Sequence, residues 1–184
     1  MDETYIKVKK VWMYLYRAVD SEGNTLEFLL SPTRDAQAAK RFFLKALHST
    51  AGSAPRVRPV QEQVEEPTAL ADPNPTKSAP RVINVDKNAA YPKAMAELKA
   101  AGILPESVEL RQVKYLNNLI EQDHRFIKRV VKPGMGFYSL ETAGRTLQGY
   151  EGMHMIRKGQ MQGVAKGDIG GQITFIARLF GVAA

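Results

Sequence analysis

The sequence predicts a single α/β domain: three antiparallel strands, then helices alternating with two further strands. Three observations carry this prediction. The first thirty residues alternate apolar and polar side chains with a period of two. The later apolar positions recur at helical spacing around one short β-branched run. At 184 residues with 44% hydrophobic and 24% charged side chains, the chain is long enough for one domain with its own core.

Residues 3–9 place Thr4, Ile6 and Val8 on one face, and residues 11–19 place Trp12, Tyr14 and Tyr16 on one side with Val11, Met13 and Leu15 on the other. Both read as strands joined by a hairpin at Lys9-Lys10. The aromatic face is expected to belong to the core, with base stacking as its alternative. Ser21-Glu22-Gly23-Asn24 is a turn, and Leu26, Phe28 and Leu30 continue into a third strand. Ser31-Pro32 reads as a cap with proline at the first helical position, opening a helix to Leu47.

Residues 49–80 hold six of the ten prolines, and the pentapeptide SAPRV occurs at Ser53–Val57 and again at Ser78–Val82. Such a composition cannot bury enough surface to order itself, so a disordered inserted loop is expected. Arg81–Val85 is a β-branched run ending in Asp86, as in a strand buried on both faces. Ala89–Ala101 reads as a helix with Gly102 as its C-cap, and Val108–Val113 as a fifth strand.

Tyr115–Lys132 separates into two helical faces. Leu116, Leu119, Ile120, Phe126, Ile127, Val130 and Val131 form an apolar stripe. Asn117, Glu121, Arg125, Lys128 and Lys132 lie opposite, with Lys128 two turns above Glu121. Asp123 falls near the centre of the apolar stripe, where an unpaired carboxylate is costly, so a buried cation or backbone partner is expected. Ser139 caps a further helix to about Lys158, and Ile173, Ile176, Leu179 and Phe180 mark a short amphipathic helix expected to pack back on the domain. Residues 1–160 then form the domain and 161–184 a C-terminal tail. This order of strands and helices is that of the ribonuclease H-like fold, a five-stranded mixed sheet flanked by helices.

Composition narrows the chemistry. No cysteine is present, so disulfides and thiolate zinc sites are excluded, and three scattered histidines argue against a histidine metal site. Any metal must be held by carboxylates, which favours magnesium or manganese. A net charge of +7 favours a polyanionic partner. No apolar run approaches a membrane span and Met1-Asp2-Glu3 does not open a signal peptide, so a cytoplasmic location is expected. Asp2 begins the first strand, Asp86 ends the fourth and Glu121 projects from the helix after the fifth. If the first and fourth strands are neighbours, these carboxylates converge and require a divalent cation against their mutual repulsion.

Asp2-Glu3-Thr4-Tyr5-Ile6-Lys7-Val8, Ile83–Asn88 and Tyr115–Asn118 with Glu121–Arg125 closely resemble the DDE-type transposases of bacterial insertion sequences, in particular the single-gene family that forms cointegrates. Asp86 and Glu121 have 34 residues between them, and Lys128 follows Glu121 by seven, both fitting the family pattern. Gly149-Tyr150-Glu151 and Met153–Gln160 extend the resemblance over nearly the whole chain. It implies that Asp2, Asp86 and Glu121 ligate two magnesium (or manganese) ions and that Lys128, Arg125, Lys132 and Asn117 contact DNA. It further implies nicking of transposon ends, transfer of the exposed 3′-hydroxyl to target DNA, and a homodimer or larger assembly on DNA. Family members carry a helix-turn-helix region before the catalytic domain, and this sequence opens at the first aspartate of the motif. The alternative expectation is therefore a truncated remnant that binds DNA or pairs with an intact transposase without catalysis.

Overall fold

The computed structural model describes residues 1–50, 80–113 and 118–182. Strands β1 (Asp2–Val8), β2 (Val11–Val19) and β3 (Thr25–Ser31) pair in order as an antiparallel sheet. Lys9 and Lys10 close the first hairpin with φ of 50° and 65°, the left-handed pair that a two-residue hairpin turn demands. Trp12 crosses to Lys7 and Tyr14 to Tyr5. At the second turn the Asp20 carboxylate accepts from the backbone N–H groups of Glu22 at 2.8 Å and Asn24 at 2.9 Å.

Helix α1 (Ala36–Thr50) starts later than its expected cap at Ser31-Pro32. Ser31 stays in β3, opposite Tyr14, and its hydroxyl accepts from Thr33 N–H within the connection. Asp35 caps the helix instead, accepting from Ala38 N–H at 2.8 Å. Strand pairing thus claims Ser31 before the helix can.

Strands β4 (Val82–Val85) and β5 (Glu109–Gln112) pair in parallel across helix α2 (Ala90–Ala100). The expected five-stranded mixed sheet is divided into this two-stranded ladder and the three-stranded one. The Met1 amino group donates to Asn84 O at 2.7 Å, while Asp2 and Glu3 reach Asp86. The two strands therefore run side by side in the same direction, but β1 then leaves β4 behind, and so short an overlap makes no ladder. One core nevertheless spans both sheets: Tyr16, Ala18 and Leu29 pack with Phe42 and Phe43 of α1, Ile83 and Val85 of β4, and Tyr91 and Leu98 of α2.

The other sheet face carries a second core of Ile6, Val8, Leu15, Phe28 and Leu30 against Ile127 of α3 (Asn118–Val131) and Ala143 and Leu147 of α4 (Leu140–Lys158). Helices thus cover both faces. The buried line of α3 runs through Ile120, Asp123, His124 and Ile127, whereas Leu119 is half exposed. Asp123 lies inside as expected, with cations as partners, and His124 joins the inward face 3.5 Å from Asp2. Ser139 caps α4 as expected, accepting from Thr142 N–H at 3.1 Å. Gly159 ends it with φ 74°; a Cβ there would stand 2.4 Å from Lys166 N.

Two further expectations are corrected. Trp12 is 59% exposed rather than core, since it lies at the hairpin tip, whereas Tyr16, deeper in the strand, is fully buried against Phe42 and Tyr91. Helix α5 (Ile169–Leu179) is capped by Asp168 but has no buried residue, and Ile173 and Phe180 stay exposed. Phe175 and Ile176 are only partly buried, so the amphipathic pattern is not seated in a core. The expected loop at 49–80 lies almost wholly outside them. No helix among the described residues is long and apolar enough to cross a membrane.

Candidate functional site

Asp2, Glu3 and Asp86 bring carboxylate oxygens within 4.8 Å of one another, a group able to hold a metal ion. Asp2 folds back so that its Oδ1 accepts from Glu3 N–H at 2.9 Å. Asp86 caps the turn leaving β4, accepting from Asn88 N–H at 3.1 Å, and the Gln112 side chain secures that turn through Asp86 O and Asn88 O. Two of the three sequence-predicted carboxylates are therefore brought together by the neighbouring ends of β1 and β4.

Glu3 completes the group and was not anticipated. Its side chain is buried and receives Asn88 Nδ2 at 3.1 Å, the Tyr91 hydroxyl and Arg34 Nε. Arg34 also donates from Nη2 to Asp86 Oδ2 at 2.9 Å, so one guanidinium spans two of the carboxylates. Strand alternation was the signal available for Glu3: it sends Glu3 to the face opposite Thr4, toward α2, where an acid must find partners. Nothing local in the sequence marks Arg34.

The electrostatics follow from this crowding. Burial first, then Glu3 and Asp2, push the Asp86 carboxyl above its usual value, against the opposing pull of Asn88 N–H and Arg34. Burial and the adjacent Glu3 push the Tyr91 hydroxyl well up. A set of hard oxygen donors crowded together within 4.8 Å fits a divalent cation such as magnesium or manganese.

Glu121 lies on the exposed face of α3, in its first turn, and is not part of this group among the described residues. His124, one turn further on, is buried with Nε2 3.5 Å from Asp2 Oδ2. The helix that carries Glu121 therefore does approach the carboxylates, through the histidine. Arg125, Lys128 and Lys132 all stay exposed, as a cationic face requires, while Asn117 lies outside the described residues.

A buried charge network fixes α3. Arg17 of β2 is wholly buried; its Nε lies 2.6 Å from Glu151 Oε1, and its Nη2 lies 2.8 Å from Glu151 Oε2 and 2.6 Å from Asp123 Oδ2. Asp123 also meets His154 at 2.8 Å and Lys158 at 2.5 Å. The buried cation expected beside Asp123 is thus Arg17, with Lys158 as a second. Burial alone would raise the Asp123 pKa, but His154, Arg17 and Lys158 together hold it well below the carboxylate range. His154 in turn stacks on Phe126, ring centroids 3.9 Å apart.

Carboxylates clustered at adjoining strand ends, in an α/β domain whose third helix carries an exposed cationic face, form a group of oxygen donors able to hold a metal ion. The chain belongs to the DDE domain family of insertion-sequence transposases, whose model matches residues 1–59 and 72–160. It is 36% identical over 158 residues to a transposase for insertion sequence-like element IS431mec of Staphylococcus aureus, and equally to the transposase for IS257 in transposon Tn4003. Those matches cover 86% of this chain and 57% of each relative, so the chain spans little more than half their length. An uncharacterized protein of Yersinia pseudotuberculosis is 30% identical over 102 residues, 55% of this chain and 73% of that protein. No solved structure matches.

Proposed function

We propose that the chain is the catalytic domain of an insertion-sequence transposase, built on a ribonuclease H-like frame and acting in polynucleotidyl transfer. The observation that carries this reading is the meeting of Asp2 and Asp86, two acids 84 residues apart in a DDE-family chain, within one carboxylate group. Asp2, Asp86 and Glu121 would hold two magnesium or manganese ions. When bound, such cations supply Lewis acidity that activates an attacking hydroxyl and stabilises a leaving oxygen.

The chain's own residues supply the rest. Arg34 orients Asp86 from the side of Glu3 and partly neutralises the pair, and His124 brings α3 to within 3.5 Å of Asp2. Arg125, Lys128 and Lys132 would take DNA phosphates along the exposed face of that helix, with Asn117 as a further proposed DNA contact, fixing the register of the substrate without reading its sequence. The substrates in this reading are transposon-end DNA and target DNA, engaged by a homodimer or larger assembly.

The rival reading is a non-catalytic domain that binds DNA or an intact transposase, and the separation of Glu121 from the carboxylate group favours it. Manganese titration by calorimetry decides between them. In the catalytic reading the wild type binds and Asp86→Asn and Glu121→Gln each lose most of the heat; each also abolishes strand transfer into a supercoiled plasmid. Identical, empty titrations for wild type and Asp86→Asn would leave the rival standing.

A further inference from the structure

The face of β1 and β2 that carries Glu3 continues beyond the acidic group as an open surface. Strand alternation places Tyr5 and Lys7 on the same face as Glu3, and their cross-strand partners are Tyr14 and Trp12. Tyr5 is 51% and Trp12 59% exposed, with Lys7 Nζ 5.2 Å from the indole centroid. Beside them, residues 136–138 lie along the free edge of β1: Phe137 N–H donates to Lys7 O at 2.8 Å, and Lys9 N–H to Phe137 O at 2.7 Å. Phe137 bridges Val8 and packs in the core with it, and its neighbour Tyr138, in the bend that follows, is 94% exposed.

The charge of this surface has one sign. Lys9 and Lys10 stand exposed at the turn, and no acidic residue occurs between Thr4 and Val19 or between His124 and Leu140. Two exposed aromatics and three lysines on a rigid hairpin, with exposed Tyr138 in the segment bridged to its edge, match the pattern that holds a nucleic-acid strand by stacking and phosphate contact together. A second copy of the chain is the poorer occupant, because a two-fold contact would set these lysines against themselves. From Asp2 to Lys7 is five residues, about 17 Å of strand at ~3.4 Å per residue, so the surface and the acidic group can lie under one continuous strand.

We propose that the Lys7–Trp12 hairpin tip, with Tyr138, is a second DNA contact. It would take unpaired bases on Trp12 and Tyr138 and phosphates on Lys7, Lys9 and Lys10. The proposal rests on the reading of the chain as a DNA-acting domain, and its test separates the two.

Trp12 is the only tryptophan in the chain, so its emission reports on this surface alone. A labelled single-stranded oligonucleotide and a blunt duplex of the same sequence are titrated with the protein, following label anisotropy and tryptophan emission together. The single strand is expected to quench Trp12, and Trp12→Ala to weaken its binding on the order of tenfold. Lys9→Gln with Lys10→Gln, both at exposed turn positions, should reduce the salt slope by about 0.7 per lysine while leaving the melting temperature unchanged. Anisotropy that shows binding while emission stays constant and the lysine variant keeps the wild-type slope overturns the proposal. Quenching by the duplex alone overturns it too, since stacking needs an unpaired base. Quenching that rises with protein concentration in the absence of DNA assigns the face to a second copy. No binding of either DNA by anisotropy defeats the DNA-acting reading itself.

Discussion

Replacing Arg17 with methionine should cost this protein more than any exposed substitution, and the structure sets the scale. The guanidinium is wholly buried and joins three elements, β2 through its own backbone, α4 through both oxygens of Glu151, and α3 through Asp123. Methionine fills much of the same volume but leaves two carboxylates in a low-dielectric interior. Lys158 and His154 still compensate Asp123, whereas Glu151 loses the partner of both oxygens. Breaking a buried pair from one side costs about 3–5 kcal/mol, and at about 2–4 °C per kcal/mol the melting temperature should fall by roughly 6–20 °C. Differential scanning calorimetry at neutral pH measures this directly. Adding Glu151→Met should recover much of the loss, because replacing a whole buried pair by apolar residues is close to neutral. Equal melting temperatures for wild type and Arg17→Met, or for the single and double variants, would refute the account of Arg17 as the cation paired with both Glu151 oxygens.

The Asp123 carboxyl has its pKa depressed by the fold, so the stability it contributes is complete above the unfolded value of about 3.9 and is lost as pH falls through the folded value. Urea midpoints measured below about pH 4 should therefore drop more steeply for wild type than for Asp123→Asn. Gly136→Ala should lower the melting temperature, since φ is 112° and a Cβ would stand 2.7 Å from Lys7 O; strain of roughly 1–3 kcal/mol is the expected scale. An unchanged melt would mean that the 136–138 segment shifts away from β1 without loss. Lys128→Ala should leave folding intact and reduce the salt slope of duplex DNA binding by about 0.9, read from anisotropy at several salt concentrations.

Local pattern and composition were enough to determine much of this protein. The period-two alternation of Thr4, Ile6 and Val8 gave β1, the spacing through Ile120 and Ile127 gave α3, and Ser139 marked the start of α4, because each depends on neighbours within a few residues. The absence of cysteine excluded thiolate ligands, the scatter of three histidines pointed any metal to carboxylates, and the DETYIKV, INVDKN and EQDHR motifs carried the family. Tertiary structure decided what depends on distant partners. Ser31 failed as a helix cap because Tyr14, across the sheet, holds it in β3. Asp123 was expected inside beside a buried cation, but only the fold supplied Arg17 as that cation, turned His124 inward toward Asp2 and left Leu119 half exposed. Trp12 stayed in solvent because it lies at the hairpin tip. Glu3 joined Asp2 and Asp86 because β1 and β4 overlap only at their adjoining ends, where Arg34, 31 residues further along the chain, closes over both acids. Such pairings are energies between residues that the chain brings together only after it has folded, and no window of sequence contains both partners.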